Sequence, residues 1–204
     1  MPSRNTARLD LSNTYYHVYS RGMNKELVFL DDADKDYFLY VIARHLSHVP
    51  TVNSANYVYP NYHSGIELLS FCLMDNHFHL LVYQKDKGTL AAFMKSVLTG
   101  YCAYFNRRHN RTGSVFGGRY RAVSVDNDAY LSHISRYIHL NPRYWQRYKY
   151  SSFHLIRKNR EPEWLSSERV LQHFSSRAAY ARFVADYEQN RDVLAEIKHN
   201  LANH

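Results

Sequence analysis

Two histidines, His77 and His79, stand two residues apart in the stretch Phe71-Cys72-Leu73-Met74-Asp75-Asn76-His77-Phe78-His79-Leu80-Leu81-Val82. These residue types read as two strands meeting at a tight turn, with Asp75-Asn76 at the bend. Side chains alternate across a strand. His77, His79, Leu81 and Tyr83 therefore share one face, and Phe78, Leu80 and Val82 take the other. Two imidazoles on one face can hold a cation between them. They can equally be two hydrogen-bonded histidines on a half-buried sheet, and the spacing alone leaves both readings open.

A second row lies downstream. His133, Tyr137 and Asn141 follow at intervals of four, which keeps them on one side of a helix, with Ile134 and Ile138 beside the row. Tyr137 could stand over the sheet opposite the histidines. Asn141 precedes Pro142 at the helix end, where its amide oxygen could ligate a hard cation. His133 reads as a surface residue rather than a base. These parts suit phosphodiester cleavage. A divalent ion held by His77 and His79 would polarise a phosphate oxygen, and the Tyr137 phenolate would attack phosphorus to form a covalent ester. A free tyrosine titrates near pH 10, so the phenol needs a base, a water or the metal to lose its proton. The ester keeps the bond energy, so a free 3′-hydroxyl can reverse the step and join a different strand.

These groups must be positioned by a sheet and its helices. Thr14–Arg21 is aromatic and β-branched, a first strand that ends at Gly22. Asp31, Asp32 and Asp34 supply the cap and first-turn acids of a helix carrying Phe38, Val41, Ile42 and Leu46 at helical spacing, ending before Pro50. Residues 50–65 have no period and read as a long exposed connection. After the histidine hairpin, Leu90, Phe93, Met94, Val97, Leu98, Tyr101 and Phe105 mark a long helix. Tyr120 to Val125 gives a fourth strand, and the helix from 128 carries Tyr137. The order strand, helix, strand, strand, helix, strand is the split βαβ arrangement of ferredoxin-like α+β folds. Two helices would cover one face of an antiparallel sheet, and the tyrosine helix the other. The texture changes after Tyr144, so residues 1–144 read as the main domain. Residues 145–204 read as a basic, aromatic extension with short helices over 167–174 and 177–190, capped by Ser166-Ser167 and Ser175-Ser176.

The chain has 204 residues and a formal charge of +8, which favours a polyanionic partner, nucleic acid first. Its 19 tyrosines and 10 phenylalanines, interleaved with arginines, suit unpaired bases that stack on rings while phosphates meet the charges. Cys72 and Cys102 sit in apolar runs and read as buried free thiols of a reducing compartment. There is no run of about 18 apolar residues to cross a membrane, and no apolar leader after Met1, so a cytoplasmic protein is expected.

Several segments resemble the single-tyrosine HUH transposases: YYHVYSRGMNKELVF (15–29), FCLMDNHFHLLV (71–82), FNRRHNRTGSVFGGRYRAVSV (105–125) and YLSHISRYIHLNPR (130–143). The branch they look like is that of the REP-associated tyrosine transposases, and YSSF, EWL and AAYARFV in the C-terminal part fit it too. The resemblance implies an HUH endonuclease fold acting on single-stranded DNA at the foot of a hairpin, with Mg²⁺ or Mn²⁺ and a 5′-phosphotyrosine intermediate. It makes His77 and His79 the metal-binding histidines and Tyr137 the nucleophile. Asn141 takes the place of a polar third ligand, where insertion-sequence members usually have glutamine. Their dimers exchange tyrosine helices, whereas the REP-associated branch and the C-terminal segment point to a monomer.

Arg107, Arg108, Arg111, Arg119 and Arg121 flank the glycine loop, Arg136 and Arg143 bracket the tyrosine, and Arg21 and Asn24 lie in the first turn. All are candidates for DNA contact, chiefly to phosphates. Two other readings compete. One is a non-catalytic single-strand-binding module on the same fold, in which the histidines would be dispensable. The other is a replication initiator or relaxase, for which the roughly 60 residues after Tyr144 leave no room for a helicase domain.

Overall fold

Strands and helices alternate in the expected order in a computed structural model of the chain, which describes residues 10–125 and 128–186. The elements are β1 (Thr14–Arg21), α1 (Asp32–Leu46), β2 (Ile66–Met74), β3 (His77–Gln84), α2 (Thr89–Arg108), β4 (Arg121–Val125) and α3 (Asp128–His139). The sheet order is β2-β3-β1-β4, and every neighbouring pair is antiparallel. β3 lies between β1 and β2, which therefore run parallel to each other. That is the split βαβ topology of a ferredoxin-like α+β fold.

Patterning explains which face each helix covers. The Asp31 side chain caps α1 by accepting from the Asp34 N–H at 3.1 Å, as its position predicts. Phe38 of α1 then meets Phe78 of β3 with ring centroids 5.1 Å apart, and Phe93, Met94, Val97, Tyr101 and Phe105 of α2 are buried beside it. The apolar side of β3 thus faces α1 and α2. On the opposite face α3 packs across β2 and β3, with Leu131, Ile134 and Ile138 buried.

The Asp75-Asn76 turn joins β2 to β3 with Met74 opposite His77. Neither turn residue has a positive φ, so this is not one of the primed turns that usually close two-residue hairpins. The turn is held from outside instead. The Asp75 carbonyl accepts the Val28 and Phe29 N–H groups at 2.8 and 3.0 Å, and the Asn76 carbonyl accepts the Gly22 N–H at 2.9 Å. Lys35 Nζ, from α1, reaches Asp75 Oδ1 at 2.6 Å. Gly22 is required here, because a Cβ would sit 2.1 Å from the Glu26 carbonyl oxygen.

Beyond Tyr144 come a 3₁₀ turn (Trp145–Arg147), α4 (Phe153–Arg157), α5 (Glu168–Leu171) and α6 (Arg177–Ala185). The helix expected over 167–174 is only α5, and residues 187–190 of the one expected over 177–190 lie outside the described residues. Ser176 caps α6 by accepting from the Ala179 N–H at 3.1 Å, but Ser167 makes no side-chain cap bond. α4 has too few residues to show a period. This C-terminal stretch runs along the open edge of β2. Leu73 N–H donates to Tyr150, Ser152 N–H to Phe71 and Ser166 N–H to Leu68, at 2.9, 3.0 and 2.8 Å. An edge strand whose backbone groups would otherwise be unpaired is thereby covered. Cys72 is buried and Cys102 half-buried, both as free thiols. Among the described residues no helix is long and apolar enough to cross a membrane.

A candidate active site beneath the third helix

Strand parity and register place the site. Tyr19 of β1 lies opposite His79, and Arg21 opposite His77. Across the other edge of β1, Arg121 of β4 lies opposite Tyr19. Side chains of directly paired residues share a face, so Arg21, Tyr19, His17, His77, His79 and Arg121 all point to the side that α3 covers. The expected helix does carry Tyr137 over the histidines. Its ring stands edge-on to His79, with centroids 5.6 Å apart, and to His17 at 5.9 Å. The His77 and His79 rings are 5.0 Å apart and nearly perpendicular. Asn141, just past the end of α3, turns its Oδ1 to within 3.4 Å of His77 Nε2, and its Nδ2 toward the Tyr137 carbonyl at 3.4 Å.

Each histidine is oriented from behind. His77 Nδ1 lies 2.6 Å from Asn76 Oδ1, an acceptor, so in the neutral ring Nδ1 carries the proton; the bare Nε2 then faces the acceptor Asn141 Oδ1, an arrangement that favours a proton or a cation between the two. His79 Nδ1 lies 2.9 Å from His17 Nε2. Burial dominates the electrostatics. It holds His17 down to about 3, His79 well below the usual histidine range, and His77 below it, the last opposed by its contact with Asn141. All three rings are therefore neutral at pH 7, the form that can ligate a metal. Burial pushes the Tyr137 phenol up, while the Asn141 contact and the Arg21 charge pull it down.

Among the described residues no three His, Cys, Asp or Glu side chains form a metal-binding group. The donors present are two neutral imidazole nitrogens and one amide oxygen. Such a mixed, uncharged set suits a weakly held divalent ion that also takes oxygens from water and phosphate. The 3.4 Å between His77 Nε2 and Asn141 Oδ1 is close enough for both to reach one ion.

The arginines fare unequally. Arg21, Arg107, Arg119, Arg121 and Arg143 are exposed, as is Asn24, which adopts a left-handed backbone with φ of 50°. Arg111 pairs with Glu26 at 3.2 Å on the surface, a weak tie that a phosphate could replace. Arg108 is committed elsewhere, to Asp31 at 2.7 Å and to the buried Asp34 at 2.5 Å, joining the end of α2 to the start of α1. Arg136 is fully buried: its guanidinium stacks on Phe183 at 4.3 Å and reaches His133 Nδ1 at 2.7 Å. It follows the helix rotation away from the sheet, into α6, and does not present its charge to solvent. His133 is half-buried beside it rather than on the open surface.

Two residues of this site escaped the sequence reading. His17 and Tyr19 lay in an aromatic strand with nothing to set them apart. Only their parity with Arg21, combined with the β1–β3 register, puts them beside His79.

Residues 58–141 match the family model described as IS200-like transposase. No curated protein matches the chain. Among solved structures, a REP-associated tyrosine transposase bound to a REP hairpin matches with a TM-score of 0.54 at 12% identity, covering 78% of this chain and 88% of that one. A Deinococcus radiodurans R1 protein put forward as a transposase matches with a TM-score of 0.41 at 15% identity, over 64% of this chain and 92% of that one. Residues 58–141 are thus similar to the IS200-like transposases, and the fold of the chain is similar to that of a REP-associated tyrosine transposase.

Proposed function

We propose that this chain is a metal-dependent single-stranded DNA endonuclease and strand transferase with Tyr137 as nucleophile. The observation that carries the reading is the meeting, across a strand and a helix far apart in sequence, of two neutral imidazoles, one amide oxygen and one phenol. His77, His79 and Asn141 would hold Mg²⁺ or Mn²⁺. When bound, the ion supplies charge that polarises a phosphate oxygen and gathers the negative charge developing there.

The chain's own groups do the rest. Tyr137 is fixed by its edge contacts with His79 and His17, so the phenol is presented at one place. Its oxygen attacks phosphorus, the bond to the 3′-oxygen breaks, and the 5′-phosphate remains on Tyr137. The phenol proton leaves during the attack and the departing 3′-oxygen takes one up, so no nucleotide cofactor is consumed. Arg21 lies opposite His77 in the sheet and its charge favours the Tyr137 phenolate, so it would also meet the reacting phosphate. Arg107, Arg111, Arg119, Arg121, Arg143 and Asn24 would track the strand outward by phosphate contacts. Arg108 and Arg136 would serve the fold instead.

The substrate we assign is single-stranded DNA at the foot of a palindromic hairpin. The relative in the hairpin complex supports this by its fold. A monomer with residues 145–204 as an extension of a 1–144 catalytic domain is the simplest assembly, since Tyr137 already stands over the histidines of its own chain. The test is incubation with a hairpin oligonucleotide bearing single-stranded flanks, with and without Mn²⁺. A covalent protein–DNA band that needs Mn²⁺ is expected. Binding with no cleavage at any Mn²⁺ concentration would instead favour a non-catalytic binding module.

A further inference from the structure

We infer that His17 is a positioning residue that sets the tautomer of His79 and thereby makes the metal site competent. The inference rests on the metal-dependent reading above. His17 Nε2 and His79 Nδ1 are 2.9 Å apart, a hydrogen-bond distance at which one of the two neutral rings donates and the other accepts. Which ring donates decides the chemistry. If His79 donates, its neutral ring carries hydrogen on Nδ1 and keeps the Nε2 lone pair for an ion. If His17 donates, His79 must carry its hydrogen on Nε2 and cannot ligate through that atom.

His17 is held where it can only face His79. It is 1% exposed, its ring lies edge to edge with the His79 ring, centroids 5.0 Å apart and 22° between planes, and Tyr19 and Tyr137 flank it at 5.2 and 5.9 Å. Its other nitrogen, Nδ1, is buried with no hydrogen-bond partner. Neither tautomer of His17 relieves that. A buried polar atom left without a partner is unfavourable, and an aromatic hydrocarbon ring would occupy the same place without it. A polar ring kept at such a cost is explained by what its Nε2 does, which is to accept from His79. Asn76 performs the same service for His77, so both histidines are oriented through Nδ1 and both offer Nε2.

Two measurements on the metal-free and metal-titrated protein test this. Long-range ¹H–¹⁵N NMR of the metal-free wild type should show His79 protonated at Nδ1. A spectrum showing it protonated at Nε2 overturns the inference without reference to metal. Mn²⁺ affinity, read by electron paramagnetic resonance, should then weaken about 10–100-fold in His17→Phe, which keeps the ring but removes the acceptor. The affinity should recover in part in His17→Gln, whose amide oxygen can accept. Thermal melting should move little in either variant, which separates loss of the acceptor from loss of the fold. Equal Mn²⁺ affinity in wild type and both variants would overturn the inference and leave the proposed function standing. A wild type that binds no Mn²⁺ would overturn both.

Discussion

At the scale of single residues, the site is assembled from neutral groups, and that makes the third donor measurable. In the proposed site Asn141 would contribute one amide oxygen to a set without a carboxylate, so its loss should be felt directly. Asn141→Ala should raise the Mn²⁺ concentration needed for half-maximal cleavage about 10-fold or more, while metal-free hairpin affinity stays within about twofold. A Mn²⁺ titration of cleavage, beside a filter-binding curve, checks both. An unchanged titration would remove Asn141 from the ligand set. Residue spacing made His77, His79, Tyr137 and Asn141 legible, because periods of two and four map directly onto faces of a strand and a helix. His17 was not legible in that way. Its role depends on which strand lies beside β3, and pairing between residues separated by sixty positions is invisible in local pattern.

At the scale of elements, α3 shows how rotation separates neighbours. Arg136 and Tyr137 are adjacent in sequence, yet one is buried against α6 and the other faces the histidines. Counting basic residues near the tyrosine therefore placed Arg136 with Arg143, although a step of one residue turns a helix by about 100°. The two should behave oppositely. Arg136→Ala removes a buried, ring-stacked side chain and should cost about 2–4 kcal/mol in urea unfolding, with faster hydrogen exchange in α6. Arg143→Ala should leave the unfolding midpoint unchanged and weaken hairpin binding, lowering the salt slope by about one unit. A destabilised Arg143→Ala with normal binding would contradict this division. The short helix α4 and the cover that α4 and α5 form over the β2 edge were beyond the sequence reading, and the helix expected over 167–174 is shortened to α5. Four or five residues carry no period, and the pairing of Leu73 with Tyr150 is again long-range.

At the scale of the whole molecule, the fold order was legible because each strand and long helix carries its own hydrophobic period, while the joints that lock them are polar and non-local. His45 is one such joint. Its Nδ1 meets the Pro60 carbonyl oxygen at 2.6 Å, tying α1 to the long connection before β2, and Arg44 Nη2 faces its Nε2 at 3.3 Å. Burial chiefly, and then the Arg44 charge, hold this imidazole below the usual range, against the pull of the Pro60 contact. An unfolded histidine titrates near 6.5. As pH falls below that, the unfolded chain takes up the proton first, so the stability is fully present above about 6.5 and is lost on the way down toward the folded value. Urea midpoints should therefore fall between pH 7.5 and 5.5. His45→Phe should flatten the fall, by at most about 1.4 kcal/mol per pH unit. The flattening is partial, because His17, His79 and His139 are buried neutral and shift in the same direction. An unflattened slope would mean that His45 takes up its proton equally in both states. The central claim concerns one oxygen atom, and peptide mass spectrometry of the Mn²⁺-dependent DNA adduct reads it directly. The account predicts a 5′-phosphonucleotide on the peptide containing Tyr137, absent from Tyr137→Phe. A nucleotide mapped to another residue, or an adduct that survives the substitution, would contradict it.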